Sequence, residues 1–434
     1  MNTLIVTLTC LLFIFLFKNI KFRLDRLFYM LLGGYFCISL IISLFNPFDL
    51  YPVSTTSYFY ICIGYACFFI GYCVNRTQIM RRNKIPLNQM VVLLLKNRLF
   101  WVIYIVSMAL VLYLSFTQWQ LIILQGAIGN LKVDIFELLF NNNSALYFIY
   151  QVLAFPTFFL SVILFSYLQI NKGEKKHILL FFIYAVAFSF VGGKRGYFAL
   201  MFEFYVIVLC VTKINSGEGI KSLVKSSYKI FGIALFVYIG AAFMTSLTGG
   251  DYTEKERLRE SGEENAKNVV IYTVGAYRAF DLAMNQNYVD KAGGYSWGAC
   301  TFGGAIEYYG TGILHRLGLP VQTVRARTMN LLQETEIMVG KDTPFNFAYT
   351  GFMYFFFDLD LFGIIIFGYL FGWFVRYCLR CFQKDGTAGS LGLICYMFIS
   401  TLALTGSWFN VELYAQPTLL LFFYLRKQQL KVLS

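Results

Sequence analysis

With 434 residues, 58% of them hydrophobic, 19% aromatic and only 14% charged, the chain has too little polar surface for a water-soluble body, in which about a quarter of residues are charged. A mean hydropathy of +0.62 agrees. The net charge of +13 does not point to nucleic acid, because the cations sit in short stretches between apolar runs rather than in a basic stripe with exposed aromatics.

Lipid is therefore the solvent for most of the chain, which restricts the backbone to helices or a closed barrel. The apolar runs are continuous, without the alternation of outer-membrane strands. The expected fold class is all-α, a polytopic membrane bundle. A crossing helix needs about 20 apolar residues. In chain order the expected spans are roughly 3–17, 27–45, 57–75, 99–118, 146–170, 178–192, 197–212, 229–247, 357–376, 390–406 and 413–425, about eleven in all. The opening stretch, MNTLIVTLTCLLFIFLF, has no basic region before its apolar core and no small-residue cleavage site, so it is expected to stay as the first span.

Lys and Arg set the orientation. One set of short loops holds Lys18 to Arg26, Arg76 to Arg98, Lys172 to Lys176, Lys213 to Lys229, Arg376 to Lys384 and Arg426 to Lys431. The opposite short loops hold only Lys132, Lys194 and Arg195. The first set is expected in the cytoplasm, with the N-terminus outside and the C-terminus inside. Lysines flank 178–212 on both sides, so an even number of crossings is expected there. The turn then falls at Gly192-Gly193-Lys194-Arg195-Gly196 on the outer side, where glycine tolerates positive φ. The chain divides into a first bundle over 1–247, a large outer segment over 248–346, and a last bundle over 347–434.

Most of the ten cysteines lie in apolar runs, where Cys behaves as a small hydrophobe. Cys378 and Cys381 form one CxxC without a second pair, and His177 and His315 are assigned to opposite sides. No metal or cofactor is expected.

The outer side concentrates guanidinium groups at Arg195, Arg257, Arg259, Arg278, Arg316, Arg325 and Arg327. Arginine suits bidentate contact with phosphate oxygens. Arg195 is the sharpest candidate, a cation at membrane depth in a short turn. Lys194 is its neighbour, and Glu203 lies about two turns further along the next helix. His315 beside Arg316 is a candidate base, and Asp358 and Asp360 stand where acidic residues favour the start of a span.

Three stretches resemble a known family, the Wzy-type polymerases of oligosaccharide repeat units. VGGKRGYFALMF is similar to the family's small-residue, Arg-Gly, apolar-helix segment, and places its functional arginine on Arg195. Tyr277-Arg278-Ala279-Phe280-Asp281 resembles a tyrosine and Phe-Asp pattern of the large loop. Asn346, Tyr349-Thr350, Asp358 and Gly363 resemble an Asn, Tyr-Thr, Asp and Gly pattern entering the next span; the family's Asp-aromatic-Gly reads Asp358-Leu359-Asp360 here. The resemblance implies a GT-C-like membrane glycosyltransferase. It would move a growing O-antigen or capsular glycan from undecaprenyl diphosphate to a new lipid-linked unit, on the outer face of the bacterial cytoplasmic membrane. It implies catalytic roles for Arg195, Arg278 and His315. Contacts to substrate would come from Lys194, Arg316, Arg325, Arg327, Tyr277, Asp281, Asn346, Tyr349, Asp358 and Glu203. The implied partners are donor and acceptor lipid-linked glycans, membrane lipid and a chain-length regulator, with no nucleic acid. An O-antigen ligase shares topology and arginines; a lipid-linked oligosaccharide flippase is the rival from another class, which the large outer segment disfavours.

Overall fold

The apolar runs fold as helices. The computed structural model describes residues 1–74, 87–125, 144–191, 196–215, 232, 271, 274–319, 322–334, 337–341, 343–345, 350–402 and 414–433. Helices α1 (Asn2–Phe17), α2 (Arg23–Phe45), α3 (Thr55–Val74), α4 (Leu87–Leu95) and α5 (Arg98–Gln125) come first. Then α6 (Ser144–Ile149), a π-helical turn (Tyr150–Ala154) and α7 (Phe155–Ile170) form one continuous rod. α8 (Lys175–Phe190) and α9 (Gly196–Asn215) are separate helices, as the lysine parity requires. Six described helices are long and apolar enough to cross a membrane: Arg23–Phe45, Thr55–Val74, Arg98–Gln118, Ala145–Ile170, Tyr197–Ile214 and Gly351–Asp385. Asn2–Phe17 and Ala388–Leu402 are apolar but shorter. Apart from Gly232, the expected span 229–247 lies outside the described residues.

The chain forms two compact units. The first comprises Met1–Met80, Leu258–Cys381 and Met397–Gln416. α2 ends on Asn46 in the left-handed region (φ 46°), whose amide N–H donates to the Ile42 carbonyl at 3.0 Å, a common helix stop. The Asn46 side chain then closes the turn onto Leu50, donating to its carbonyl at 2.7 Å and accepting its N–H at 3.1 Å. Past the turn, α3 packs on the long helix Gly351–Asp385 through glycines. A Cβ at Gly71 would overlap the Tyr369 carbonyl, and one at Gly372 the Phe68 carbonyl. Gly368 and Gly372 form a GxxxG pair, the spacing that lets helix backbones approach closely in lipid. An aromatic layer of Phe13, Tyr29, Phe36, Tyr65 and Phe69 fills the space between α1, α2 and α3, with Phe36 stacked on Tyr65 at 4.4 Å.

The segment between the first and last bundles, expected outside, contributes α10 (residues 274–285), α11 (Tyr288–Lys291), α12 (Ala299–Phe302), α13 (Gly304–Arg316) and α14 (Val324–Glu334) to this unit. A hairpin of β1 (Ile337–Gly340) and β2 (Thr343–Phe345) follows. The hairpin departs from the all-helical expectation. Ile337 and Val339 are buried while Met338 between them is exposed, the period-two pattern of a strand. The α2–α3 turn joins this edge, where Tyr51 donates its N–H to the Val339 carbonyl at 2.8 Å. The long helix, α15 (Gly351–Asp385), is not one rod: Leu359 and Asp360 leave helical geometry. Its N-terminal half ends at Asp358 and its crossing half begins after Asp360.

The second unit comprises Arg81–Arg257, Phe382–Tyr396 and Pro417–Ser434. α7 packs along α8 and α9, around the stacked rings of Phe158 and Phe188 at 4.4 Å and the Tyr197 ring at 5.2 Å from Phe188. Pro156 has no N–H to donate to the preceding turn, and the chain widens into the π turn immediately before it. α16 (Ala388–Leu402) and α17 (Ala415–Leu433) complete the chain. Asp385 caps α16 through the Thr387 N–H and hydroxyl and the Ser390 hydroxyl, and accepts from Arg426 Nε of α17 at 2.7 Å.

Candidate functional site

Most of the described residues singled out by sequence lie at one end of the first unit, built on α10. Arg278 and Asp281 are three apart on that helix and share a face. The Arg278 guanidinium is 4% exposed. It donates to the Ser43 carbonyl (3.3 Å) and hydroxyl (3.2 Å), to Asn46 Oδ1 (2.8 Å) and to the Val274 carbonyl (3.0 Å). The Ser43 and Asn46 acceptors lie at the C-terminus of α2, where a cation is favoured by the helix dipole, and the Val274 carbonyl lies one turn back on α10 itself. Asp281 does the converse at the N-terminus of α3. Its Oδ1 accepts the Ser54 N–H at 3.1 Å and the Ser54 hydroxyl, and its Oδ2 accepts from Asn285 at 3.2 Å. Tyr277, fully buried, hydrogen-bonds the Ser39 hydroxyl at 2.6 Å and the Tyr65 hydroxyl at 2.8 Å. α10 is thus a clamp across the α2–α3 turn, and the Tyr-Arg-Phe-Asp stretch spends its polar groups inside the protein.

Asp358 holds a second junction. Fully buried, its carboxylate accepts the Ser296 hydroxyl, the Cys300 N–H (2.9 Å) and the Thr301 N–H (2.9 Å). These N–H groups open α12, so the aspartate caps a neighbouring helix rather than its own. The Ser296 and Trp297 N–H groups donate to the Phe357 and Asp358 carbonyls at 2.9 and 3.2 Å. Carbonyls that would continue α15 are thereby engaged from outside, which accounts for the break that follows.

The Gly293-Gly294 turn ends α11 with paired bonds, Gly294 N–H to the Val289 carbonyl and Gly293 N–H to the Asp290 carbonyl, in the Schellman pattern. The Arg327 guanidinium lies on this turn, where a Cβ at Gly293 would meet it at 2.9–3.0 Å. Arg327 is exposed, and its guanidinium has no hydrogen bond or ion pair among the described residues. Arg325 differs. It is 8% exposed, with Nε 3.4 Å from the Glu307 carboxylate. Burial pushes the Glu307 carboxyl up, and Arg325 opposes that shift. Nearby, burial pushes the Cys300 thiol up to about 12, so it is held as an inert thiol rather than a nucleophile.

The break places Asp360 at φ 55°, ψ −139°, a conformation that glycine adopts readily and other residues rarely. Its Oδ2 accepts the Tyr295 hydroxyl at 3.3 Å, while Oδ1 is buried without a hydrogen-bond partner. The Tyr60 phenol of α3 lies against the same carboxylate. Burial and the Asp360 charge push the Tyr295 phenol up. Trp297, two residues after Tyr295, is 79% exposed and also has positive φ. Sequence reasoning placed Asp360 only as a helix-start residue and passed over Tyr60, Tyr295 and Trp297. The available signal was a glycine-rich GGYSWG stretch carrying two aromatics.

The remaining candidates are spread more widely. Arg195, Lys194, Asn346 and Tyr349 lie outside the described residues. His315 and Arg316 fall at the end of α13, with side chains outside the description. Glu203, in the second unit, sits within α9 with no hydrogen bond or ion pair among the described residues. Among the described residues no group of His, Cys, Asp and Glu could hold a metal ion. Compared with known protein families, curated proteins and solved structures, the chain finds no match.

Proposed function

We propose that this chain is a membrane glycosyltransferase that polymerises polyprenyl-diphosphate-linked repeat units into O-antigen or capsular polysaccharide. In this reading it has about eleven spans, a GT-C-like architecture, an external N-terminus and a cytoplasmic C-terminus, and works on the outer face of the bacterial cytoplasmic membrane. The motif order from Arg195 through Tyr277 to Asp358 supports it. The observation that carries it is Arg327, an exposed guanidinium without a hydrogen bond or ion pair among the described residues, laid on a glycine turn of the expected outer segment. A diphosphate suits such a group, because guanidinium forks match phosphate oxygens.

In the reaction, the bond between the donor's anomeric carbon and the diphosphate oxygen breaks, and its electron pair leaves on that oxygen. The acceptor hydroxyl oxygen forms the new glycosidic bond and its proton passes to a base, for which His315 and the outer carboxylates are the candidates. Arg195 and Arg327 stabilise the charge growing on the diphosphate. Arg278, whose Nη groups are engaged by the α2 terminus and by the Val274 carbonyl, and Asp281 position the outer segment rather than touch substrate. Donor and acceptor lipid-linked glycans, membrane lipid and a chain-length regulator are the partners.

The test is complementation of a deletion strain with Arg195→Ala and Arg327→Ala variants. Each is expected to leave a single repeat unit on the cell surface at wild-type protein levels. Wild-type ladders from both variants would overturn the proposal. Accumulated lipid-linked long chains in the deletion strain would instead point to a ligase, and inward-trapped single units to a flippase.

A further inference from the structure

Asp360 has more chemistry than its place in the fold requires. At the head of a crossing helix an aspartate ordinarily accepts N–H bonds from the first turn. Here neither oxygen does so: Oδ2 is engaged by Tyr295, and Oδ1 is buried without a hydrogen-bond partner among the described residues. The residue also holds a backbone conformation suited to glycine, in which an aspartate is strained. A glycine would serve the break better, so the carboxylate answers to something other than the fold.

Its surroundings have a definite chemistry. Two phenols, Tyr60 and Tyr295, face the carboxylate from α3 and from the glycine-rich turn. The indole of Trp297 stands 79% exposed. Its backbone is pinned two residues from Asp360 by the bond from Trp297 N–H to the Asp358 carbonyl at 3.2 Å. A sugar ring has a C–H face that packs on an aromatic plane and hydroxyls that donate to a carboxylate or exchange hydrogen bonds with phenols. Flat aromatic area with a few convergent polar groups is the usual make-up of a small-molecule site.

We propose that Asp360, Tyr295, Tyr60 and Trp297 form a sugar-binding subsite, with the ring stacked on Trp297 and a hydroxyl donating to Asp360 Oδ1. That the sugar belongs to the lipid-linked repeat unit rests on the function proposed above; that a sugar binds here does not. The competing role for Trp297 is an anchor in the membrane interface, where tryptophan is common.

The test uses the full-length protein in nanodiscs. The probe is the oligosaccharide released by mild acid from the lipid-linked repeat unit of the source cells, followed by tryptophan emission and by equilibrium binding. The wild type is expected to bind saturably with an emission change. Asp360→Asn and Tyr295→Phe should each weaken binding about tenfold, and Trp297→Ala should remove both binding and the emission change. Asp360→Gly is the control for folding: it should melt no lower than the wild type, because the strain is relieved, yet fail to bind. Failure of the wild type to bind, unchanged affinity in Asp360→Asn and Trp297→Ala, or quenching of Trp297 by brominated lipid without any response to the oligosaccharide, would each overturn the subsite. If binding depends on Asp360 while the Arg195 and Arg327 variants keep full ladders, the polymerase reading falls and the subsite stands.

Discussion

Arg278 and Asp281 each meet a helix end of opposite sign, Arg278 at the C-terminus of α2 and Asp281 at the N-terminus of α3. Burial works against the guanidinium charge, so the arrangement holds only while its acceptors are in place. Replacing Arg278 with Met strands the Ser43 carbonyl in a buried site, at about 1–3 kcal/mol for an unsatisfied group, while Asn46 keeps its bonds to Leu50. The expected outcome for Arg278→Met is a lower melting temperature in detergent, about 1–3 kcal/mol in stability, while Arg327→Ala, which removes no side-chain hydrogen bond or ion pair among the described residues, leaves melting nearly unchanged. Equal melting of the two variants would remove the clamp role. Sequence marks both arginines as cations in an outer segment and goes no further. What separates them is whether acceptors stand open opposite: the α2 terminus offers Arg278 the Ser43 carbonyl and Asn46 Oδ1, some 230 positions away, whereas the turn under Arg327 bonds within itself. Asp360 was legible only as a charge near a helix start. Its strain arises because Ser296 and Trp297 take the carbonyls of the preceding turn, a contact between segments about 60 residues apart.

At the scale of elements, hydropathy reads well because lipid leaves the backbone no choice but to bond within itself. Where the expected spans are described they fall on helix, apart from the break at Leu359 and Asp360; α8 and α9 are separate helices, and the expected turn between them lies outside the described residues. Interruptions within helices read poorly. The π turn before Pro156 lies inside an apolar run with little contrast in composition, and the break at Asp360 is marked only by two aspartates, which read equally as the start of a helix. The glycine interface between α3 and α15 has a pattern but no partner in sequence: Gly368 and Gly372 signal a close-packed face, yet only the fold identifies Gly64 and Gly71 opposite. Gly372→Ala must push the Phe68 carbonyl away, and overpacking of this kind costs about 1–3 kcal/mol. Gly34→Ala in α2 meets nothing within 4 Å and should stabilise by up to about 1 kcal/mol through helix propensity. Thermal stability in detergent reads both, and a fall in the second as large as in the first would show that close approach is not the cause.

Across the whole molecule, the cations used to orient the chain have a second role once it is folded. Arg376 and Arg380, counted as cytoplasmic-loop charges, are 4% and 8% exposed within the first unit. Both face Asp25, which is fully buried, at 3.5 and 2.9 Å. Arg376 also donates to the Tyr72 and Cys73 carbonyls at 2.6 and 2.8 Å, which close α3, and its guanidinium lies over the Tyr72 ring at 5.5 Å. The lock therefore joins the start of α2, the end of α3 and the far end of α15. Orientation is decided by loop charge as the chain inserts, before these helices meet; the same guanidiniums are then withdrawn from water and need a counter-charge. Removing one partner of a buried ionic group typically costs about 3–5 kcal/mol, because the others stay buried and unpaired. Asp25→Ala leaves two guanidiniums facing each other, whereas Asp25→Ala combined with Arg380→Leu removes one charge of each sign and leaves Arg376 on its α3 carbonyls. The single variant is expected to lose most folded, monodisperse protein on size-exclusion chromatography, and the double variant to recover a substantial part of it. A double variant no better than the single one would mean that the cluster is not held by charge balance.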